Sequence, residues 1–212
     1  MTPVWHRGAL ASMVRPVAAP IVWHVNNGDN VTPARPTAED LADAARATDG
    51  AGRLRRRGLA RAIVAYLAAC HPDRVCFGRS TAGAPFVTSP AGWHISLSGR
   101  GSDVVIAVGR IAVGVDIESK DAAALLLDML TPTEVCDVLS MAEAHRHCEW
   151  LRRWTMKEAI AKLIGQPRQI APERIETQAD GTDWFTARCG DYRAHGWTRI
   201  TDDFVTSLAL MD

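Results

Sequence analysis

The run Gly114-Val115-Asp116-Ile117-Glu118 sets two carboxylates two residues apart in an otherwise apolar stretch. On a β-strand alternate side chains share a face, so Asp116 and Glu118 point one way while Val113, Val115 and Ile117 point the other, toward a core. Two like charges on one face repel unless something positive lies between them. A hard divalent cation such as Mg²⁺ is the natural partner, and it usually also takes phosphate oxygens from a substrate. The plainer alternative is a solvated strand end with two surface acids. A second run, Trp154-Thr155-Met156-Lys157-Glu158-Ala159-Ile160-Ala161-Lys162, puts Trp154, Glu158 and Lys162 on one helical face. Glu158 could supply a third metal carboxylate or act as a general base, and Lys162 could neutralise a phosphate. The plainer alternative here is an exposed Glu–Lys pair of little energy. The chain has 21 arginines and only three lysines, two of which (Lys157 and Lys162) fall in this run. That bias favours a use for a compact ammonium at this place.

These side chains need elements to hold them. Residues 1–36 contain five of the eleven prolines and read as an irregular lead-in with one short strand, Ile21–Val25. Thr37–Ala69 reads as helical, with an apolar stripe through Leu54, Leu59, Ile63, Tyr66 and Leu67, ended by His71-Pro72. Thr81–Gly92 is turn-rich. Two β segments follow, Trp93–Ser98 and Asp103–Glu118, the second folded back at Gly109-Arg110 as a hairpin. Asp121–Leu130 reads as helical, and Thr131-Pro132-Thr133-Glu134 is a capping box with proline at the first helical position. Ala142–Leu163 is the longest helix, closed by Gly165. After a turn at Asp180-Gly181, Asp203–Leu210 forms an apolar final strand. The expected fold is α+β, in two similar lobes of residues 1–110 and 111–212. Each lobe would be a small antiparallel sheet packed with helices.

Composition narrows the class of function. The 212 residues carry 24 basic and 24 acidic side chains, which gives no global charge for nucleic acid or a membrane surface. Five cysteines are an odd number and include no C-x-x-C pair, which argues against a disulfide framework or zinc ribbon. A reducing, cytoplasmic setting is the expectation. No apolar run reaches the length of a membrane span.

Together the two runs resemble the paired signature of the 4′-phosphopantetheinyl transferase superfamily. The length resembles its two-lobed, surfactin-synthetase-activating type. Gly83-Ala84-Pro85 resembles the family's G-K-P turn, His94-Ile95-Ser96-Leu97-Ser98 its F-N-I-S-H-S strand, and Leu130–Glu134 its F-[ST]-x-x-E segment. The resemblance implies two pseudo-symmetric lobes with the active site between them. It implies an enzyme, a monomer, that moves the 4′-phosphopantetheine arm of coenzyme A onto a serine of an acyl or peptidyl carrier protein. Asp116, Glu118 and Glu158 would hold Mg²⁺, or Mn²⁺ in its place, with Asp116 also facing coenzyme A. Glu158 would be the base and Lys162 the phosphate-neutralising cation, with Lys157 beside it. Arg53 and Arg57 would grip coenzyme A phosphates, Ser96 would meet the 3′-phosphate, and the turn holding Arg79 and Gly83 would border the adenine.

Two positions depart from that pattern. Leu97 stands where the family's strand has a histidine that helps bind coenzyme A phosphate, and Ala84 stands where its turn has a lysine. They motivate a rival reading, a non-catalytic relative that binds coenzyme A or a carrier protein. A second rival is another Mg²⁺-dependent phosphoryl or nucleotidyl transferase built on the same three carboxylates.

Overall fold

The computed structural model describes residues 2–13, 18–121, 125–167 and 169–212. The chain divides into two compact units, Met1–Gly78 with Pro85–Ile111, and Arg79–Ala84 with Ala112–Asp212. Both are mixed α+β.

The first unit carries β1 (Val4–Arg7), β2 (Ile21–Val25), helices α1 (Ala38–Ala44) and α2 (Gly50–Leu67), β3 (Cys76–Arg79), β4 (Pro85–Ser89), β5 (His94–Arg100) and β6 (Asp103–Gly109). Its main sheet has the order β1-β2-β6-β5. One face of α2, with Leu59, Ile63 and Val64, packs into a core with Trp23, Val25, Ile106 and Val108. Alternation on β5 sends Ile95 and Leu97 to that same core. Leu97 is therefore a packing residue, on the strand face opposite Ser96. A histidine there would enter apolar surroundings.

Several expectations change. The irregular lead-in contains β1, which pairs in parallel with β2, so this sheet is not purely antiparallel. The helical stretch is broken between α1 and α2, where Asp49 caps the second helix by accepting from the Gly52 amide at 2.9 Å. Part of the turn-rich stretch is β4, paired with β3. The hairpin at Gly109-Arg110 does not form: β6 pairs with β2 and β5, while β7 (Val113–Ser119) belongs to the other sheet. Alternation identifies a strand but not its partner. The helix expected over residues 121–130 lies partly outside the described residues, and the described part forms only a 3-10 turn at Leu127–Met129.

The second unit continues from β7 through α3 (Pro132–Ser140), α4 (Glu143–Ile164), β8 (Glu176–Asp180), β9 (Trp184–Cys189), β10 (Tyr192–Ile200) and β11 (Phe204–Met211). Its sheet is antiparallel throughout, in the order β7-β11-β10-β9-β8. The capping box forms as expected: Thr131 accepts from the Glu134 amide and Glu134 from the Thr131 amide. Gly165 closes α4 at φ +82°, a left-handed conformation that glycine adopts without strain. Helix α4 packs its Met156, Ala159, Ile160 and Leu163 against Phe185, Ala187, Ala194 and Ala209 of the sheet.

One glycine sets the distance between helix and sheet. A Cβ on Gly114 would lie 2.0 Å from the Ala159 carbonyl oxygen and 2.7 Å from the Leu163 amide nitrogen, both backbone atoms of α4. Gly114 shares its strand face with Asp116 and Glu118, so that face is the one turned to α4. Behind the helix, Thr155 on α4 and Ser207 on β11 share a hydrogen bond of 2.8 Å between hydroxyls, and Ser207 meets Thr198 at 2.9 Å. Ser207 is the register partner of Asp116. Gly114→Ala should push α4 off the strand and cost about 3 kcal/mol, the upper end of ordinary overpacking. Urea unfolding checks it, and a loss below about 1 kcal/mol would contradict so close a contact.

Candidate active site

Asp116 and Glu118 are 2% and 4% exposed, so neither is a solvated strand end. Helix α4 answers each of them. Lys162 donates to Asp116 Oδ1 at 2.6 Å and to the Val115 carbonyl at 3.2 Å. Two turns earlier, the Trp154 indole N–H donates to Glu118 Oε1 at 3.0 Å. The helix thus runs antiparallel to the strand, with residue 154 over 118 and residue 162 over 116. Glu158 lies midway on the same stripe, one turn from each. The structure therefore brings Asp116, Glu118, Glu158 and Lys162 to one helix–strand seam. Trp154 is itself held by stacking on Trp150, with ring centroids 6.1 Å apart and planes 8° from parallel.

This seam suits a hard cation in its donor chemistry. Three carboxylates face one ammonium and one neutral N–H donor, an excess of negative charge made wholly of oxygen ligands. Among the described residues, no group of three or more His, Cys, Asp or Glu side chains is drawn together tightly enough to hold a metal ion. Asp116, Glu118 and Glu158 share the seam without forming a closed cage.

Lys157 differs from its expected place beside Lys162. Its side chain is fully buried, and its ammonium spends all three donors inside the unit. It meets Glu134 Oε2 at 2.6 Å, the Pro172 carbonyl at 3.0 Å and the Ile175 carbonyl. Five residues along a helix is about 500°, which turns Lys157 well away from the Lys162 face. Glu134 also accepts from the Thr177 amide at 2.9 Å and from the Thr177 hydroxyl at 2.5 Å. Burial alone would raise its pKa. The hydrogen bonds from Lys157, Thr177 and the Thr131 amide outweigh that and hold the carboxyl below its ordinary 4.5. Local spacing identifies Glu134 as part of a helix cap, and nothing in that spacing marks it as the partner of Lys157.

Arg57 is likewise engaged elsewhere than at a ligand. It and Arg61 both donate to Asp40, which is 1% exposed, and Arg61 also donates to the Val75 carbonyl at 2.8 Å. Both guanidinium groups lie over the Phe77 ring, at 5.3 and 5.1 Å. Burial raises the Asp40 pKa, but the Thr37 amide, Arg57 and Arg61 together bring it below 3.8. A buried charge that neutralises a buried carboxylate cannot swing out to a phosphate without leaving that carboxylate unpaired. Arg53, less buried, donates from Nη1 to both oxygens of Asp43 at 3.3 Å. Arg79 donates to the Gly83 carbonyl at 2.7 Å, closing the turn in which Gly83 sits at φ +85°. Ser96 is buried on β5, opposite the face of Leu97.

Known proteins are similar to parts of this chain. A sequence model of the family described as "4'-phosphopantetheinyl transferase superfamily" matches residues 112–209. A curated relative, "4'-phosphopantetheinyl transferase psf-1" of Bacillus pumilus, is 31% identical over 138 residues, covering 64% of this chain. The chain spans 59% of that relative's own length. The similarity to the 4′-phosphopantetheinyl transferase superfamily model lies within the second unit.

The two lysines five residues apart should behave differently when replaced. Lys157→Met strands Glu134 in the interior and should cost about 3–5 kcal/mol. Lys162→Met, at the more open seam, should cost clearly less. Equal losses in urea unfolding would contradict the assignment. Acid adds a second test. Because the folded pKa of Glu134 is depressed, its contribution is complete above the ordinary 4.5 and is lost as pH falls through the lower folded value. Glu134→Gln should therefore lower stability at pH 7 and flatten its decline below about pH 4.5. An unchanged acid slope would show that Glu134 is not a principal source of that decline.

Proposed function

We propose that the chain transfers the 4′-phosphopantetheine arm of coenzyme A to a serine of an acyl or peptidyl carrier protein, releasing adenosine 3′,5′-bisphosphate, in the cytoplasm. The observation that carries this reading is the seam itself. Lys162 and Trp154 fix the two strand carboxylates from either end of one helical stripe, with Glu158 between them. The family match and the relative's name support the same class of reaction.

Each residue then has a task. Glu158 removes the proton from the carrier serine as its oxygen bonds to the phosphorus of the arm. The bond from that phosphorus to the bridging pyrophosphate oxygen breaks, and the nucleotide leaves with the electron pair. Lys162 uses two donors within the protein, to Asp116 and Val115, which leaves a third N–H for a phosphate oxygen. Trp154 keeps the Glu118 carboxylate aimed along the seam. Mg²⁺ bound by Asp116, Glu118 and Glu158 would supply positive charge against the pyrophosphate oxygens. With Arg57 and Lys157 committed to internal pairs, the coenzyme A contacts of the second unit rest on Lys162, Arg79 and Gly83.

A non-catalytic reading loses one of its two motives, because Leu97 serves the core and its side chain does not line the Ser96 face. Incubation with coenzyme A, Mg²⁺ and an apo carrier protein should add about 340 Da to the carrier, the mass of the arm. Asp116→Ala and Glu158→Ala should each abolish the gain while the chain stays folded. If either variant kept more than about a tenth of the wild-type kcat/KM, a loss below about 1.4 kcal/mol, its assigned role would be wrong.

A further inference from the structure

The helical stripe that carries Lys162, Glu158 and Trp154 continues toward the start of α4 as two more rings. Trp150 lies one turn before Trp154, and His147 one turn before that, the spacing that keeps side chains on one face. The rings form a column. Trp150 stacks on Trp154 with planes 8° from parallel, and His147 stacks on Trp150 with centroids 6.2 Å apart and planes 22° from parallel. Both separations lie within the roughly 4.5–7 Å of favourable aromatic pairs. The two tryptophans differ in burial. Trp150 is 3% exposed and belongs to a core with Leu130, Leu151 and Val205, while Trp154 is only partly buried at its edge.

Packing alone does not call for tryptophan at position 150, because leucine would fill an interior site without burying a polar group. The buried indole N–H needs a partner, and it donates to the Leu126 carbonyl at 2.9 Å. Leu126 lies on the connection between β7 and α3. That bond holds the Trp150 ring against rotation, so the ring offers Trp154 a flat and fixed surface. Trp154 then presents its own N–H to Glu118 Oε1 at 3.0 Å. Its aim matters because a glutamate carboxylate turns about three side-chain torsions, the last of them broad. One hydrogen bond to one oxygen orients such a group only as well as the donor is itself held.

We infer that Trp150 is a positioning residue for Glu118, acting through the ring plane of Trp154. The Leu126 carbonyl, Trp150, Trp154 and Glu118 form one chain of contacts. The direction of the second strand carboxylate is therefore set by the connection that follows β7 as well as by α4. The effect of Trp150 on transfer rests on the reaction proposed above, whereas its effect on the aim of Glu118 does not.

The Trp154 indole proton reports that aim directly. Its nitrogen–proton NMR signal, identified by its loss in Trp154→Phe, should exchange with solvent more than about tenfold faster in Trp150→Leu, the scale of one lost hydrogen bond to a charged group. Trp150→Phe keeps a ring to stack on but loses the donor to Leu126, and should fall between. Phe185→Leu, which alters the separate core around Met156 and Ile160, should leave the signal protected. In transfer from coenzyme A to an apo carrier protein, Trp150→Leu should lower kcat by about tenfold with little change in KM for coenzyme A. A kcat within about twofold of wild type, despite faster exchange, would overturn the positioning role in the reaction. Unchanged exchange in Trp150→Leu would overturn the proposal outright. Equal acceleration in Phe185→Leu would do the same, because it would trace the effect to lost stability. Absence of transfer by the wild type would refute the proposed function alone, and faster exchange in Trp150→Leu would still support Trp150 as the support of Glu118.

Discussion

The candidate active site depends on a contact between two backbones. Because Gly114 has no side chain, the Ala159 carbonyl of α4 can lie against β7. Only at that separation do the side chains one turn further along in each direction reach the strand carboxylates. Lys162 and Trp154 are long enough to bridge the gap, and their hydrogen bonds fix how far the helix has slid and rotated. The hydroxyls of Thr155, Ser207 and Thr198 hold the same register from the next strands with polar groups that are fully satisfied. Position along the seam is thus set at three levels: a steric stop, two charged or polar side-chain bonds, and a buried hydroxyl chain.

Burial divides the basic residues into two kinds. Lys157, Arg57 and Arg61 sit in the interior, each against a carboxylate, and their role is to join segments far apart in sequence. Lys162 also meets a carboxylate, but at a seam open enough to admit a further oxygen. The distinction is energetic. Removing a buried partner leaves a bare charge in a medium that solvates it poorly, so such pairs resist rearrangement. A cation with an unused donor and a way to solvent is the kind that can exchange partners during a reaction.

Much of this was legible before any coordinates. The carboxylate pair, the 154–158–162 stripe, the Thr131 capping box and the Gly165 stop all follow from periods of two and 3.6 residues and from backbone rules that act locally. What could not be read has a common cause, since it depends on which segments meet. The Asp103–Glu118 stretch shows correct alternation, yet β6 and β7 enter different sheets, a choice made by partners nearly a hundred residues away, as for Val113 and Leu210. Leu97 looked like a substitution in a binding strand. Its parity along β5 puts it in the core, and parity becomes informative only when the core side is known. Lys157 and Arg57 carried the right charge for phosphate, but Glu134 and Asp40 had already claimed them. Glu134 showed only the half of its role that lies within four residues.

That second half has a consequence for how the unit comes apart. One carboxylate closes the first turn of α3, anchors the middle of α4 through Lys157, and receives both the amide and the hydroxyl of Thr177 on β8. None of these segments can detach alone without leaving that charge, or the ammonium opposite it, unsolvated. Fraying of α3 is therefore coupled to β8, an edge strand of its sheet, which would otherwise be among the first pieces to open. Motions in this corner belong to one cooperative block. The edge of the sheet shares the kinetic stability of the helix that carries the site, although no functional side chain lies on that edge strand.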